Sequence, residues 1–151
     1  MQAHAVPVLQ PRKGSGGLVA RLAGAHILVV DDDDDSRELT CALLEMAGAT
    51  VLCVRSVAQA MSGVHAFDPN VVLTDFAMPG ADGLDLIRGL RTGSSARIAA
   101  VPIFVLSGFG EGPWRARALA AGAADVLTKP FPPVRLIARI AAAVAAPRSA
   151  S

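Results

Sequence analysis

The sequence predicts an α/β fold in which helices cover both faces of a doubly wound, five-stranded parallel sheet. Short apolar runs alternate with segments of helical periodicity along most of the chain. The runs are apolar throughout, which is typical of parallel strands that are buried on both faces. Because strand and helix alternate, right-handed crossovers place successive strands in one sheet and the helices on its two sides.

Five strands and five helices account for this pattern. The predicted strands are His26–Val30, Thr50–Val54, Asn70–Thr74, Val101–Leu106 and Asp125–Leu127. The helical periodicity is carried by Leu39, Leu43 and Met46 in the first helix, by Met61 and Val64 in the second, by Leu84, Ile87 and Leu90 in the third, and by Val134–Val144 in the last. A fourth helix is expected between Pro113 and Gly122.

Several residues are suited to begin or end these helices. Ser56 and Gln59 have the spacing of a capping box at the start of the second helix. Gly48 can end the first helix in a left-handed conformation, and Gly122 is expected to end the fourth.

Composition limits the class of protein and its partners. With 151 residues, 52% hydrophobic and 18% charged, the chain is expected to be globular with a substantial core. A net charge of +1 gives no electrostatic reason to expect nucleic acid as the main partner. No apolar stretch is long enough to span a bilayer, and no signal peptide is evident. We therefore expect a cytoplasmic protein that has neither nucleic acid nor a membrane as partner.

The predicted domain occupies residues 25–146. Residues 1–24 contain several prolines and glycines with little periodicity and are predicted to form a flexible N-terminal arm, while residues 147–151 are predicted to be a flexible tail. Cys41 and Cys53 lie in apolar-periodic segments without a CxxC or Cys/His neighbourhood, so two buried, reduced thiols are expected.

Polar side chains follow four of the predicted strands where each strand ends. Asp31 and Asp32 follow the first strand, Asp75 the third, Ser107 the fourth, and Lys129 comes shortly after the fifth. Because the functional crevice of such sheets lies at the carboxyl ends of the strands, we expect these five residues to converge. Convergence from four separate strands is more specific than any single motif.

The residue types at this edge are suited to phosphoryl transfer. Clustered carboxylates repel one another and favour a bound cation, and Mg²⁺ prefers oxygen ligands. A carboxylate such as Asp75 can attack phosphorus to form an aspartyl phosphate. Lys129 supplies a further positive charge, and the Ser107 hydroxyl can donate a hydrogen bond to a phosphoryl oxygen.

The acidic run after the first strand extends to Asp35. We interpret Asp33, Asp34 and Asp35 as capping residues at the positive end of the first helix dipole rather than as metal ligands. Arg37 is expected to pair with a nearby acid.

These segments resemble the response-regulator receivers of two-component signalling. The resemblance runs from about His26 to Ala146. It is carried by ILVVDDDDDSR (Ile27–Arg37), VVLTDFAMPGADG (Val71–Gly83), IFVLSG (Ile103–Gly108) and GAADVLTKPF (Gly122–Phe131). It implies a (βα)5 flavodoxin-like fold with strand order 2-1-3-4-5.

The resemblance also implies a role for each site residue. Asp75 matches the phosphorylated aspartate, and Asp31 and Asp32 match the acidic pair that holds Mg²⁺, with Asp32 as the direct ligand. Asp75 and the backbone carbonyl of Ala77 would supply further metal ligands.

Other positions match the residues that contact the phosphoryl group and transmit its presence. Ser107 corresponds to the switch hydroxyl, and Lys129 to the phosphate-contacting lysine, which usually precedes a cis Lys–Pro bond. Many receivers have Tyr or Phe where this chain has Val126. We therefore expect Phe109, shortly after Ser107, to carry the change outward.

The implied function is that of a signalling phosphoacceptor, which catalyses only its own phosphorylation and dephosphorylation. A sensor histidine kinase or a histidine phosphotransfer protein would donate the phosphoryl group. A downstream protein would bind the face made by the fourth helix, fifth strand and fifth helix.

Three alternatives remain open on the sequence alone. The chain could be a phosphorylation-independent interaction module, although the intact acidic site argues against it. It could be a receiver fragment of a longer regulator or hybrid kinase, because a stand-alone receiver is expected only if the chain is complete. A metal-dependent phosphatase is disfavoured, since such enzymes place their nucleophile after the first strand.

Overall fold

The computed structural model describes residues 9–14, 21–78, 80–93, 95–108 and 113–146. The strands are β1 Arg12–Lys13, β2 His26–Val30, β3 Thr50–Val54, β4 Val71–Asp75, β5 Ile103–Ser107 and β6 Asp125–Thr128. The helices are α1 Asp34–Met46, α2 Val57–Phe67, α3 Gly83–Arg91, α4 Ala96–Ala99, α5 Pro113–Ala121 and α6 Pro133–Ala145.

The predicted doubly wound α/β fold is confirmed. Within the described residues, the strands form one sheet in the order β1-β3-β2-β4-β5-β6. The five predicted strands are β2 to β6, and all their pairings are parallel. The strands β2 and β3 have the predicted bounds, whereas β4 and β5 lie one or two residues further along the chain. Asp75 and Ser107 are therefore the last residues of their strands.

Alternate side chains of each strand pack into two separate hydrophobic cores, one on each face of the sheet. On β2, Leu28 and Val30 face the core that is closed by α2, α3 and α5, whereas Ile27 and Val29 face the core that is closed by α1 and α6. All four side chains have at most 1% exposure. Burial on both faces explains why the strands are apolar throughout.

The segment predicted to be a flexible arm contributes a sixth strand. Strand β1 pairs antiparallel with β3, placing Arg12 opposite Val51. Gly14 donates its N–H to Ala49, and Leu22 is 1% exposed. The prediction of an unstructured arm is wrong for residues 9–14 and 21–24, because hydrogen bonds to the open sheet edge and burial of Leu22 offset the loss of chain entropy. Residues 1–8 and 15–20 of the predicted arm, and the predicted tail 147–151, lie outside the described residues.

The predicted caps are present at the starts of α1 and α2. Asp33 is the N-cap of α1 and accepts the N–H of Ser36, while Asp34 and Asp35 lie in the first turn. Ser56 caps α2 and accepts the N–H of Gln59. In a capping box the Gln59 side chain would accept the backbone N–H of the N-cap residue, Ser56. Here it accepts the N–H of the preceding residue, Arg55.

The prediction of two reduced thiols is wrong, because Cys41 and Cys53 form a disulfide. Cys41 lies on α1 and Cys53 on β3, 12 residues apart in sequence. After α1 the chain turns back into β3, which places the Cα atoms of Cys41 and Cys53 6.7 Å apart. This distance is within the range that a disulfide can bridge. Sequence spacing alone did not reveal this return of the chain.

No helix in the described part of the chain combines the length and the apolar composition needed to cross a membrane.

Candidate phosphoacceptor and metal site

The carboxyl edge of the sheet gathers the polar residues that the sequence pattern singled out. Asp31 follows β2, Asp75 ends β4, Ser107 ends β5, and Lys129 follows β6. The parallel registers pair Asp75 with Leu106 and Ser107 with Thr128, so these strand ends are adjacent. The predicted convergence follows from the parallel direction of the strands.

Three carboxylates form a compact cluster at this edge. Asp31, Asp32 and Asp75 each offer one oxygen, and these oxygens all lie within 4.8 Å of one another. Asp31 is 4% exposed, Asp32 is exposed, and Asp75 lies between these extremes. The carboxylate cluster is therefore buried at Asp31 and accessible to solvent at Asp32.

Lys129 places a positive charge beside this cluster. Its Nζ lies 3.5 Å from Asp75 Oδ1 and 3.9 Å from Asp31 Oδ2. Its backbone N–H donates to the carbonyl of Ser107 at 2.6 Å. The Lys129–Pro130 peptide bond is cis, as the resemblance implied.

The Asp75 carboxyl has neighbours with opposing effects on its charge. Burial raises the pKa of Asp75 above its ordinary value, the charge of Lys129 lowers it, and the charge of Asp31 raises it again. The net direction is upward. The carboxylate of Asp75 is thus a stronger base than an exposed aspartate, although the Lys129 ammonium group lies 3.5 Å from it.

Three hydrogen bonds hold Asp31 in position. Its N–H donates to the carbonyl of Val54 on β3 at 3.1 Å, and its own carbonyl accepts from Arg37 Nη1 on α1 at 2.9 Å. Its Oδ1 accepts the N–H of Asp33 at 3.0 Å. Arg37 also forms the predicted ion pair with an acid, Asp34, at 2.6 Å.

Two neighbours of the site were not predicted. Ser36, in the first turn of α1, accepts a long hydrogen bond of 3.5 Å from Lys129 Nζ. The ring of Trp114 on α5 packs against Phe76, which follows Asp75, with centroids 4.8 Å apart. Ser36 and Phe76 lie within segments that carry the family resemblance, but no role was predicted for either, because both contacts depend on how helices are placed against the sheet.

The loop after Asp75 is held close to the strand end. Gly83 begins α3 and donates its N–H to the carbonyl of Phe76. A Cβ at Gly83 would lie 2.9 Å from the carbonyl oxygen of Asp75, so glycine permits this close approach. Asp82 and Asp85 form a reciprocal capping box at the same point.

The remaining predicted residues are placed as follows. Ser107 is 1% exposed and Val126 is 4% exposed, both in the sheet. Ala77 is exposed in the loop after β4, and the role of its carbonyl as a ligand stays a prediction. Phe109 lies outside the described residues.

A family model for the response regulator receiver domain matches residues 27–141 of the chain. The chain belongs to the response-regulator receiver family. This match begins at Ile27 in β2, ends at Ala141 in α6, and includes every residue of the site. The chain is therefore homologous to the phosphoacceptor domains of response regulators, which supports phosphorylation-based signalling and does not favour a phosphorylation-independent module. Receiver domains of response regulators are signalling domains rather than classical enzymes.

Individual relatives agree with this assignment. The receiver is 36% identical over 121 residues to the phosphate regulon transcriptional regulatory protein PhoB of Pseudomonas aeruginosa, covering 80% of this chain and 52% of PhoB. It is 41% identical over 115 residues to PetR of Rhodobacter capsulatus, covering 76% of this chain and 46% of PetR. The chain thus spans about half the length of the curated relatives it matches.

A solved structure supports the fold independently. The BeF3-activated N-terminal receiver domain of Klebsiella pneumoniae RstA superposes with a TM-score of 0.71 at 29% identity, covering 80% of this receiver and 99% of that chain. Receiver domains interact with histidine kinases or phosphotransfer proteins and generally bind Mg²⁺ at an acidic pocket, which corresponds here to the cluster of three aspartates.

Proposed function

We propose that this receiver, comprising residues 25–146, accepts a phosphoryl group on Asp75 from the phosphohistidine of a sensor kinase or phosphotransfer protein in the cytoplasm. The observation that carries the proposal is the position of Asp75 at the end of β4, within 4.8 Å of two further carboxylates and 3.5 Å from Lys129 Nζ. The receiver catalyses this transfer onto itself and its later hydrolysis.

Asp75 is better suited to nucleophilic attack than the other two aspartates. Asp31 is buried, and one of its carboxylate oxygens already accepts a hydrogen bond from Asp33. Asp32 is exposed, so water competes for its lone pairs. Asp75 combines access from solvent with the raised pKa of a more basic carboxylate and with an adjacent ammonium group.

The donor set fits Mg²⁺. All the candidate side-chain ligands are carboxylate oxygens, which are the ligands that Mg²⁺ prefers, and they are close enough to share one ion. The repulsion that raises the pKa of Asp75 beside Asp31 is relieved by a cation. Asp31, Asp32, Asp75 and the carbonyl of Ala77 would hold the ion. When bound, Mg²⁺ offsets the negative charge of the nucleophile and of the phosphoryl group.

The remaining residues each act on the transferred group. An oxygen of Asp75 attacks phosphorus while the bond from phosphorus to the donor histidine nitrogen breaks. The Lys129 ammonium neutralises one phosphoryl oxygen, and the Ser107 hydroxyl donates to another. Movement of Ser107, transmitted through Val126 and Phe109, then changes the face formed by α5, β6 and α6, where a downstream protein binds.

The test of the phosphoacceptor is Asp75→Asn, which removes the nucleophile and keeps nearly the same shape. A small phosphodonor such as acetyl phosphate, with Mg²⁺, labels the wild type and leaves this variant unlabelled. Asp35→Asn is the matched control, since Asp35 is an exposed carboxylate of the same acidic run and keeps full labelling. Equal labelling of wild type and Asp75→Asn would rule out Asp75.

The test of the metal uses chelation and Asp32→Ala. Excess chelator abolishes labelling, and the variant is labelled more slowly because a charged ligand of the cation is lost. Undiminished labelling in chelator contradicts the proposed metal site, while leaving the assignment of Asp75 open to its own test.

A further inference from the structure

The disulfide joins the two elements that hold Asp31. Cys41 lies one helical turn after Arg37, whose guanidinium binds the carbonyl of Asp31. Cys53 directly precedes Val54, whose carbonyl accepts the N–H of Asp31. The covalent bond therefore fixes α1 relative to β3 beside both hydrogen bonds of the Asp31 backbone.

The other contacts that hold α1 are non-covalent. Cys41 and Leu44 pack into the core at 0% exposure, and Arg12 forms ion pairs with Glu38 and Glu45 on the partly exposed side of the helix. These contacts do not depend on the disulfide, so we expect both redox forms to fold. With the disulfide open, we expect α1 to shift slightly against β3, which would loosen the hydrogen bonds that Arg37 and Val54 form with Asp31.

The two cysteine residues differ in their exposure to solvent. Cys41 is fully buried, whereas Cys53 is partly exposed. The described pairing of β1 with β3 ends at Val51, two residues before Cys53. The chain has two cysteines in total, so neither has another partner within the chain.

We propose that Cys41 and Cys53 are a reversible redox site that tunes cation binding at the phosphoacceptor cluster. The disulfide form holds Asp31 firmly and binds Mg²⁺ more tightly than the dithiol form. The assignment rests on the proposed function, because Asp31 is one of its proposed metal ligands. Disulfides in the cytoplasm are generally transient and redox-sensing, which agrees with a switch at this position.

The reactant class is a small-molecule disulfide, such as oxidised glutathione. The Cys53 thiolate attacks one glutathione sulfur, the S–S bond breaks, and one glutathione thiolate leaves and takes up a proton. The Cys41 thiolate then attacks the Cys53 sulfur of the mixed disulfide and releases the second glutathione. Two thiols and one oxidised glutathione thus give one protein disulfide and two reduced glutathiones. A dithiol such as dithiothreitol reverses the exchange.

The experiment compares Mg²⁺ binding by the full chain in its two redox forms. Treatment with oxidised glutathione or dithiothreitol prepares the forms, and alkylation with iodoacetamide in denaturant followed by mass spectrometry counts the free thiols. Mg²⁺ alone is then titrated while the amide NMR shifts of Asp31, Asp32 and Asp75 are followed. We expect the disulfide form to bind about fivefold more tightly, at the lower end of typical coupling between sites.

The variant Cys41→Ala/Cys53→Ala is the matched control. It binds Mg²⁺ with the affinity of the dithiol form, and dithiothreitol does not change that affinity. Equal affinity of the two verified wild-type forms overturns the proposal, as does failure of oxidised glutathione to remove two alkylatable thiols or absence of any Mg²⁺-dependent shift. Labelling by acetyl phosphate is measured on the same samples. If neither form is labelled although their affinities differ, the proposed function fails and the redox site stands.

Discussion

The Asp75 carboxylate illustrates how a functional residue reduces stability at its own position. Burial and the nearby charge of Asp31 raise its pKa, while Lys129 offsets only part of this effect. A carboxyl whose pKa is raised in the folded state favours folding when it is protonated. Its contribution to stability is therefore present at low pH and is lost as the pH rises through the folded-state pKa. At neutral pH the charged form opposes folding.

Asp75→Asn should therefore stabilise the metal-free protein at neutral pH. We expect the free energy of unfolding to rise by about 1 kcal/mol, in the range of substitutions that relieve strain at functional sites. Mg²⁺ should raise the melting temperature of the wild type and have little effect on the variant. Thermal unfolding with and without Mg²⁺ measures both effects, and Asp35→Asn serves as the exposed control. A variant that is less stable than the wild type without Mg²⁺ would contradict this prediction.

The site residues divide into those that the sequence revealed and those that it did not. Asp31, Asp75, Ser107 and Lys129 could be predicted because each marks the end of an apolar strand, and parallel strands end at one edge. Ser36 could not, since its contact with Lys129 depends on the rotation of α1 about its axis.

At the scale of elements, β1 is the main departure from the predicted architecture. Two residues are too short to show a strand periodicity, and Pro11 directly before them indicated a loop. Ion pairs add to the hydrogen bonds that hold this strand at the sheet edge, because Arg12 contacts Glu38 and Glu45, which lie seven residues apart on one face of α1. The short helix α4 was missed for a similar reason, because a single turn carries no periodic signal.

Arg12→Ala should loosen β1 from α1 and lower stability. The Glu45 side chain is partly buried, whereas Arg12 and Glu38 are more exposed and more strongly screened by water. We therefore expect a loss of about 1 kcal/mol or less. Lys13→Ala is the matched control, because Lys13 is exposed on the same strand and should tolerate the change. Urea unfolding compares the variants, and equal effects of both substitutions would exclude a specific role for Arg12.

The contact between Arg12 and Glu38 should also depend on pH. The hydrogen bond and charge of Arg12 lower the pKa of Glu38 from its ordinary value of 4.5. A lowered carboxyl pKa contributes stability that is present above the ordinary value and is lost as the pH falls through the folded-state pKa. The difference in melting temperature between wild type and Glu38→Gln should therefore be present at neutral pH and disappear in acid. A difference that persists at a pH well below 4 would contradict this ion-pair account.

At the scale of the whole molecule, β6 connects the phosphoacceptor edge with α5 and α6, which cover opposite faces of the sheet. The backbone of Lys129 is bonded to Ser107, so the ends of β5 and β6 are joined directly. At the opposite end of β6, its first residue, Asp125, forms ion pairs with Arg115 on α5 and with Arg139 on α6. A displacement of β6 at the phosphoacceptor edge can therefore reach α5 and α6 through these contacts of Asp125.

The fold class could be predicted from the alternation of apolar runs and helices. The contacts that link the phosphoacceptor site to α5 and α6 could not. The periodicity of α6 indicates which side faces the core, whereas α5 shows little periodicity. The partners of Arg115 and Asp125 depend on the separation of the two helices across β6. Arg115 also donates to the carbonyl of Val126 at 2.7 Å. The strand position proposed for the switch is therefore tied directly to the helix that would move.

Binding of a phosphoryl analogue should consequently alter the face of α5, β6 and α6. Beryllium fluoride with Mg²⁺ places an anionic group beside Lys129 and Ser107, which would draw both toward Asp75 and shift β6 with its attached helices. We expect amide hydrogen exchange to change over residues 113–140, with smaller changes in α2. Arg115→Ala, which removes the ties of α5 to Asp125 and Val126, should reduce the response in α5 and leave the response around Asp75 intact. Changes confined to α1 and α2 would show that the output surface does not include α5, β6 and α6.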